Sequence, residues 1–393
     1  MTRTKSNIRL GIIGYGFRIR HMISIMKTLG NITIVSICDT NLDATKTNAK
    51  KNESNYNDIR FFDSHEKLVN GPQVDGVLLG TNCSTHTPIA IKVLDAGIPL
   101  FLEKPVSIND EQLNSLKQAA KKPHKVVVSF PLRLTPLVQK VKEIIDRGTI
   151  GAVEHVQAFN DVPYGHVYFQ GWYRDNNETG GLFLQKATHD FDYINYLVKR
   201  APVKIAAMTS KQVYKGTHPE GLFCRDCPEN KTCRESPYNP DMAPAEDEWM
   251  KPHQYMCAFA PDAANEDSGS AIIMYDSGMH AVYSQNFFAK HKAARRGARL
   301  YGCDGTIEFD GYGKDIKLYY HNAPKSETIK VNIDASDAHG GGDNVLAQNF
   351  IDVINGSAES KSTLKEGILS AEMCLRARRS AQTGTFQNIT YAK

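Results

Sequence analysis

Hydrophobic and polar positions change rhythm along this chain. Ile8–Ile13 is a short apolar run bounded by glycine, Arg18–Leu29 carries apolar residues at helical spacing, and Ile32–Cys38 is β-branched and strand-like. A polar helical stretch, Leu42–Lys51, follows, then Asp75–Leu79 as a buried strand. Pro88–Ala96 has helical period and stops at Gly97; Pro99–Leu102, Asp110–Ala120 and Val126–Phe130 read as strand, helix and strand. Strands alternating with helices predict a parallel, doubly wound sheet with right-handed crossovers. The pattern shifts near Phe130–Pro136. A helix, Leu137–Arg147, ends at Gly148, and strand-like runs follow at Val153–Phe159, Val203–Ser210, Ser270–Tyr275, Met279–Phe287, Arg299–Tyr301, Thr306–Phe309 and Ile316–Tyr320. With Asp276-Ser277-Gly278 as a hairpin turn, these predict a large, open, mostly antiparallel sheet. A helix, Leu364–Ala381, closes the chain. The expectation is an α/β domain over residues 1–129 and an α+β domain over 130–393. Residues 215–267, rich in Pro, Cys, Asn and acidic residues, read as an irregular insertion.

Length and composition agree with two domains. The chain has 393 residues, 41% apolar and 23% charged, enough to bury substantial cores. Its 47 Lys+Arg against 43 Asp+Glu leave +4, spread without a long basic run, so nucleic acid and acidic membranes are poor partners. No apolar stretch approaches the roughly 18 residues that span a bilayer. Gly11, Gly14 and Gly16 interrupt the apolar part of the N-terminus and Arg18 and Arg20 follow, unlike a signal peptide. Scattered cysteines fit reduced thiols, and a cytoplasmic protein is expected.

The segment Gly11-Ile12-Ile13-Gly14-Tyr15-Gly16, continued by Phe17 and Arg18, lies at the junction of the first strand and first helix. Glycines there let the backbone approach a pyrophosphate, which amides at a helix N-terminus stabilise. The third glycine of G-x-G-x-x-G is absent, since position 19 is Ile. Asp39, at the end of the second strand, is placed to accept hydrogen bonds from adenosine ribose hydroxyls and would repel a 2′-phosphate. The spacing thus predicts a dinucleotide-binding (Rossmann) domain preferring NAD to NADP, with Arg18 as a cation able to soften that preference.

Further motifs complete a pattern: Thr81-Asn82-Cys83-Ser84-Thr85-His86, then Phe101-Leu102-Glu103-Lys104-Pro105, Arg133, Gly148-Thr149-Ile150-Gly151, and Gly180-Gly181 before His189 and Asp192. Over nearly its whole length the chain resembles the Gfo/Idh/MocA family of NAD(P)-dependent sugar and cyclitol oxidoreductases. The resemblance implies that Asn82, His86 and Glu103 line the cofactor and that Lys104 acts beside the nicotinamide. Arg133 falls where the family places it and is carried over as a substrate contact. A cation at the carboxyl end of a parallel strand can also hydrogen-bond a hydroxyl and polarise the carbonyl that forms.

Gln185, Lys186, His189 and Asp192 are spaced to share one face of a helix over 182–197, while Leu184, Ala187, Phe191, Ile194 and Leu197 form its apolar face. Histidine titrates in the range suited to taking a hydroxyl proton, which makes His189 the acid/base candidate. Many family members carry aspartate where this chain has Gln185; glutamine orients a hydroxyl but takes no proton. Lys186 is an added cation. Trp172 and Arg174 offer an aromatic wall and a cationic donor for a sugar.

Cys224-x-x-Cys227-x5-Cys233, with Cys257 as a candidate fourth ligand or His253 in its place, is a candidate structural zinc set; Cys38, Cys83, Cys303 and Cys374 read as packing residues. His339, in a glycine loop, is a further substrate candidate, and Asp343 a cap for the helix after it. The reading is an NAD-dependent oxidoreductase acting on a carbohydrate or cyclitol hydroxyl, assembled as a homo-oligomer (dimer or tetramer) through its sheet face. Two alternatives stay open: a redox-assisted glycosidase that restores its NAD and uses His339 or a tyrosine as second base, and a sugar-sensing regulator without turnover.

Overall fold

The apolar run Ile8–Ile13 forms β1, a central strand of a six-stranded parallel sheet ordered β3-β2-β1-β4-β5-β6. Its neighbours are β2 (Ile32–Cys38), β3 (Arg60–Phe62), β4 (Gly76–Leu79), β5 (Leu100–Leu102) and β6 (Val126–Val128). Strands covered on both faces need continuous apolar sequence, and β4, β5 and β6 are buried at every position. β3, a three-residue edge strand with no buried side chain, left no such signal. The computed structural model describes residues 7–241, 250–332 and 338–390.

Two units make up the chain: residues 1–139 with 333–372, and residues 140–332 with 373–393. The described residues 338–372 thus fold with the first unit although they follow most of the second in sequence. Their helix Gly342–Asn355 places Leu346, Ala347, Phe350, Ile351, Val353 and Ile354 in the same core as β1 and the helix Phe17–Leu29. Phe350 meets Phe101 of β5 edge-on, ring centroids 5.7 Å apart.

The second unit holds a nine-stranded sheet ordered β14-β13-β12-β11-β7-β10-β9-β8-β15. The strands are β7 (Val153–Asp161), β8 (Pro202–Ser210), β9 (Ser268–Tyr275), β10 (His280–Asn286), β11 (Arg295–Gly302), β12 (Gly305–Asp310), β13 (Asp315–Tyr320), β14 (Ser326–Lys330) and β15 (Gln387–Asn388). β7 and β10 pair in parallel; the other named pairs are antiparallel. The helix Thr188–Val198 covers one face, with Phe191 and Tyr193 against Tyr283 and Phe309. Met208, Ile272 and Met274 are exposed; in β9, exposed Ile272 and Met274 alternate with buried Ala271, Ile273 and Tyr275. β14 and the two-residue β15 were not foreseen, because both are edge strands with little buried apolar sequence.

The irregular insertion, whose residues 242–249 lie outside the described set, is anchored at both ends. The Asp267 carboxylate accepts the amides of Gln212, Val213 and Tyr214, and an antiparallel bridge joins Phe223 to Met256. Cys303 is exposed rather than packed, which corrects its reading as a core residue; Cys38, Cys83 and Cys374 are buried. Among the described residues no helix is long and apolar enough to cross a membrane.

If Phe350 fastens its helix to the first sheet, Phe350→Ala should cost about 3–5 kcal/mol in urea unfolding. A loss below 1 kcal/mol would contradict that packing.

Candidate functional site

In the first unit the strand order reverses at β1 and β4, the switch point where open α/β sheets bind ligands. Gly14 and Gly80 follow these two strands. Gly14 has φ +83°, and a Cβ there would stand 2.6 Å from the Gly80 carbonyl oxygen, so a side chain is excluded twice over. At Gly16, the N-cap of the helix Phe17–Leu29, a Cβ would meet nothing within 4 Å. Open space therefore lies over the first-turn amides, which have no acceptors within their own helix. This cradle fits a dinucleotide pyrophosphate. The missing third glycine is explained by its neighbour: Ile19 is fully buried, and a Cβ on Gly80 would stand 2.4 Å from its Cγ1. The close approach is kept, with the glycine on the strand side.

Asp39 lies at the end of β2. One carboxylate oxygen accepts the Tyr15 amide at 2.9 Å and the other the Asn41 amide at 3.0 Å, which fixes the group beside the glycine turn. Tyr15 itself is buried and donates to Glu53, while Phe17 is exposed. Arg18 turns elsewhere. Its guanidinium donates to Glu103 at 2.8 Å, to Ser129 at 3.0 Å and to both oxygens of Asp343 at 2.6 and 2.7 Å. It is thus engaged at the ends of β5 and β6, not beside Asp39.

Asn82 is exposed, whereas His86 is buried with Nδ1 2.9 Å from the Pro105 carbonyl and Nε2 3.0 Å from that of Thr81. The ring braces two loops and both nitrogens are engaged; burial pushes its pKa down. Lys104 is half-buried at the end of β5, directly after Glu103. Arg133 is buried and bonds Glu366 and the Lys361 carbonyl, holding residues 361–366 to this unit. His339 adopts φ 49° and lies 2.9 Å from Asp343. Asp343 does not cap its helix, whose N-cap is Gly341, because its carboxylate is committed to Arg18. Burial alone would raise the Asp343 pKa, but His21, His339 and Arg18 together hold it far below the usual carboxylate range.

In the second unit, Phe183–Ala187 forms a π-helical turn before the α-helix Thr188–Val198, where the spacing predicts one continuous helix. Such a widened turn changes the angular step between side chains and recurs at functional positions. Gln185, Lys186, His189 and Asp192 are all buried. The Gln185 amide donates to the Thr179 carbonyl at 2.8 Å, bracing the Gly180-Gly181 turn. Lys186 Nζ donates to the Tyr164 hydroxyl at 2.6 Å. Asp190 accepts from Asn160, Tyr283 and Arg296, each at 2.8 Å. Spacing alone hides Tyr164 and Arg296; the one hint is that Lys186 and Asp190 are four residues apart. Trp172 is 47% exposed and stacks on Tyr173 at 3.9 Å, so it is a surface aromatic and not core. Arg174 is buried against Asp262 at 2.6 Å, and its charge acts on Cys257 and Cys224.

Cys224, Cys227, Cys233 and Cys257 line one small cavity of about 20 Å³ together with His218 and Glu235. Burial pushes the Cys224 thiol up to about 12, with Cys233 and Cys257 raised as well. The donor chemistry suits zinc. Yet among the described residues no group of three His, Cys, Asp or Glu side chains is arranged to hold a metal ion.

Comparison with known proteins covers both units. Residues 8–130 match the family model of the oxidoreductase family with NAD-binding Rossmann fold, and residues 138–308 that of the GFO/IDH/MocA C-terminal domain. YteT, a candidate oxidoreductase of Bacillus subtilis, is 27% identical over 321 residues, 73% of this chain and 74% of that protein. Myo-inositol 2-dehydrogenase of Thermotoga maritima is 28% identical over 194 residues, 49% of this chain and 55% of the relative, so little more than half of that enzyme is spanned. The structure of a levoglucosan dehydrogenase in complex with NADH shares the fold, with TM-score 0.76 at 16% identity, covering 98% of this chain and 99% of that one.

Removing the buried carboxylate should expose its worth. Asp343→Asn is expected to lower stability at neutral pH by about 3–5 kcal/mol, because Arg18 loses a buried partner. A carboxyl whose folded pKa is depressed contributes fully above its unfolded pKa of about 3.9 and loses that contribution as pH falls toward the folded value. The gap between wild type and variant in chemical denaturation should therefore shrink as the pH falls below about 4 toward the folded pKa. A gap that widens on acidification would contradict the assignment.

Proposed function

The chain belongs to the Gfo/Idh/MocA family of NAD-binding oxidoreductases, and from that premise we propose that it moves hydride between NAD and a secondary hydroxyl or keto group of a sugar, glycoside or cyclitol. The observation that carries this reading is the Gly14–Gly16 cradle beside Asp39 at the switch point of the parallel sheet. Relatives named as inositol and levoglucosan dehydrogenases support the substrate class. Asp39 favours NAD over NADP, since its carboxylate repels a 2′-phosphate while Arg18 is occupied by Glu103 and Asp343.

When bound, NAD supplies the hydride acceptor or donor at its nicotinamide ring. Lys104 donates a hydrogen bond to the reacting oxygen and stabilises the charge that gathers there. His189 exchanges the hydroxyl proton. Gln185 has no proton of suitable acidity; it positions the substrate by holding the Thr179–Gly181 turn. Trp172, exposed and backed by Tyr173, offers a flat apolar wall to a sugar ring. The exposed Met208, Ile272 and Met274 support assembly of copies through the large sheet. The four-thiol cavity is read as a structural zinc site whose side chains converge on the ion when it binds.

A panel of sugars and cyclitols with NAD should give NADH, followed by absorbance, with at least one compound. Lys104→Ala and His189→Ala should each lower kcat by about 10²–10⁴. Absence of NADH from every compound, or unchanged turnover in both variants, would reject the reading. Separately, elemental analysis of purified protein should find close to one zinc per chain, lost in Cys224→Ser; metal-free wild-type protein would reject the zinc site.

A further inference from the structure

Gly14 and Gly16 give the dinucleotide turn its shape but no side chain to hold it there. Tyr15, between them, carries the turn's own anchor. Its amide donates to Asp39 at 2.9 Å, and its carbonyl accepts Arg20 Nη1 at 3.1 Å. The Arg20 guanidinium also lies 5.8 Å from the centre of the ring. That ring is 2% exposed and belongs to the core built by Ile19, Met22 and Ile34. Inside it, the hydroxyl donates to Glu53 Oε1 at 2.6 Å.

Glu53 is unusual company for a core tyrosine. It is buried directly after the helix Leu42–Asn52, and its second carboxylate oxygen takes the Lys27 amine from the helix Phe17–Leu29. A carboxylate is costly to bury unless it is both paired and hydrogen-bonded. Here phenol and ammonium meet it together, one at each oxygen. Burial, and then the Glu53 carboxylate, pushes the Tyr15 pKa up, so the phenol stays a donor.

The helix Leu42–Asn52 joins this carboxylate to the one assigned to the ribose. Asn41 caps its start, and Asp39 accepts the Asn41 amide at 3.0 Å. At its end the Glu53 amide reaches back to the Ala49 carbonyl at 2.8 Å, and Asn55 donates to the Ile34 carbonyl of β2 at 2.8 Å. One tyrosine therefore binds the carboxylates that flank both ends of the helix: Asp39 through its main chain and Glu53 through its side chain.

We propose that Tyr15, Glu53 and Lys27 form a clamp that fixes where the Asp39 carboxylate stands, and with it the choice between NAD and NADP. The proposal rests on the NAD-binding reading. Glu53 and Lys27 are positioning residues that act through Tyr15, and the Tyr15 phenol acts through Asp39. A 2′-phosphate is repelled only while that carboxylate is held at the ribose edge. With the turn unanchored the carboxylate swings aside, the penalty on NADP falls and the hydrogen bonds to the NAD ribose weaken. Both changes move the ratio of the two dissociation constants the same way.

The test is calorimetric titration of the whole chain with NAD and, separately, with NADP; no turnover is needed. Wild-type protein should bind NAD more tightly. In Tyr15→Phe and in Glu53→Ala the ratio Kd(NADP)/Kd(NAD) should fall about tenfold, the change carried by one lost hydrogen bond to a charged group. Glu53→Gln keeps an acceptor for the phenol and should restore part of the ratio. General loss of stability lowers the folded fraction for both nucleotides alike and leaves their ratio untouched; Ile34→Val, in the same core, is the control for this. Tyr15→Phe keeps a ring in the core site and decides the matter should Glu53→Ala not fold. An unchanged ratio in Tyr15→Phe, or a wild type that binds both nucleotides equally, overturns the proposal and leaves dinucleotide binding standing. Wild-type protein that binds neither nucleotide overturns both.

Discussion

A guanidinium cannot shed its proton, so wherever the chain buries one it must bring carboxylates to it. In the first unit that demand falls on Arg18. It draws in Glu103 from the end of β5, Ser129 from the end of β6 and Asp343 from a helix that enters over three hundred residues later. The dinucleotide turn, the strand end that carries Lys104 and the returning segment are thereby tied to one side chain. Its geometry also keeps the Arg18 guanidinium on Glu103 and Asp343 rather than on the Asp39 carboxylate.

The second unit solves the same problem around Arg296. Asp190 answers its charge and is itself completed by Asn160 and Tyr283, three strands contributing to one buried knot under the helix Thr188–Val198. With its nearest carboxylate already committed, Lys186 is left to a phenol. The π-helical turn at Phe183–Ala187 sits where these demands meet, with Gln185 bonded to one loop and Lys186 to another.

Much of the parallel sheet was legible because its strands are buried on both faces, and periodicity reports burial directly. The glycine turn and Asp39 were legible because their spacing is set by local backbone geometry. What stayed hidden depends on distant sequence. Nothing in Gly340-Gly341-Gly342-Asp343 says that Arg18 will claim the aspartate, and nothing near Tyr164 announces Lys186. The widened turn was missed because helical periodicity assumes a constant step. β14 and β15 lay beyond reach for the opposite reason: edge strands bury too little to leave a pattern. The four cysteines were recognisable as a group from spacing, and they do share one cavity, but a closed ligand set needs side-chain angles that spacing does not encode.

Ile19 over Gly80 carries a lesson about fingerprints. The allowance for tight packing between helix and sheet has moved from one surface to its opposite, so the familiar consensus is conserved as a shape while lost as a string of letters. Reinstating glycine at 19 by analogy would hollow out the contact and loosen the very turn it was meant to perfect, unless Gly80 were enlarged in the same step.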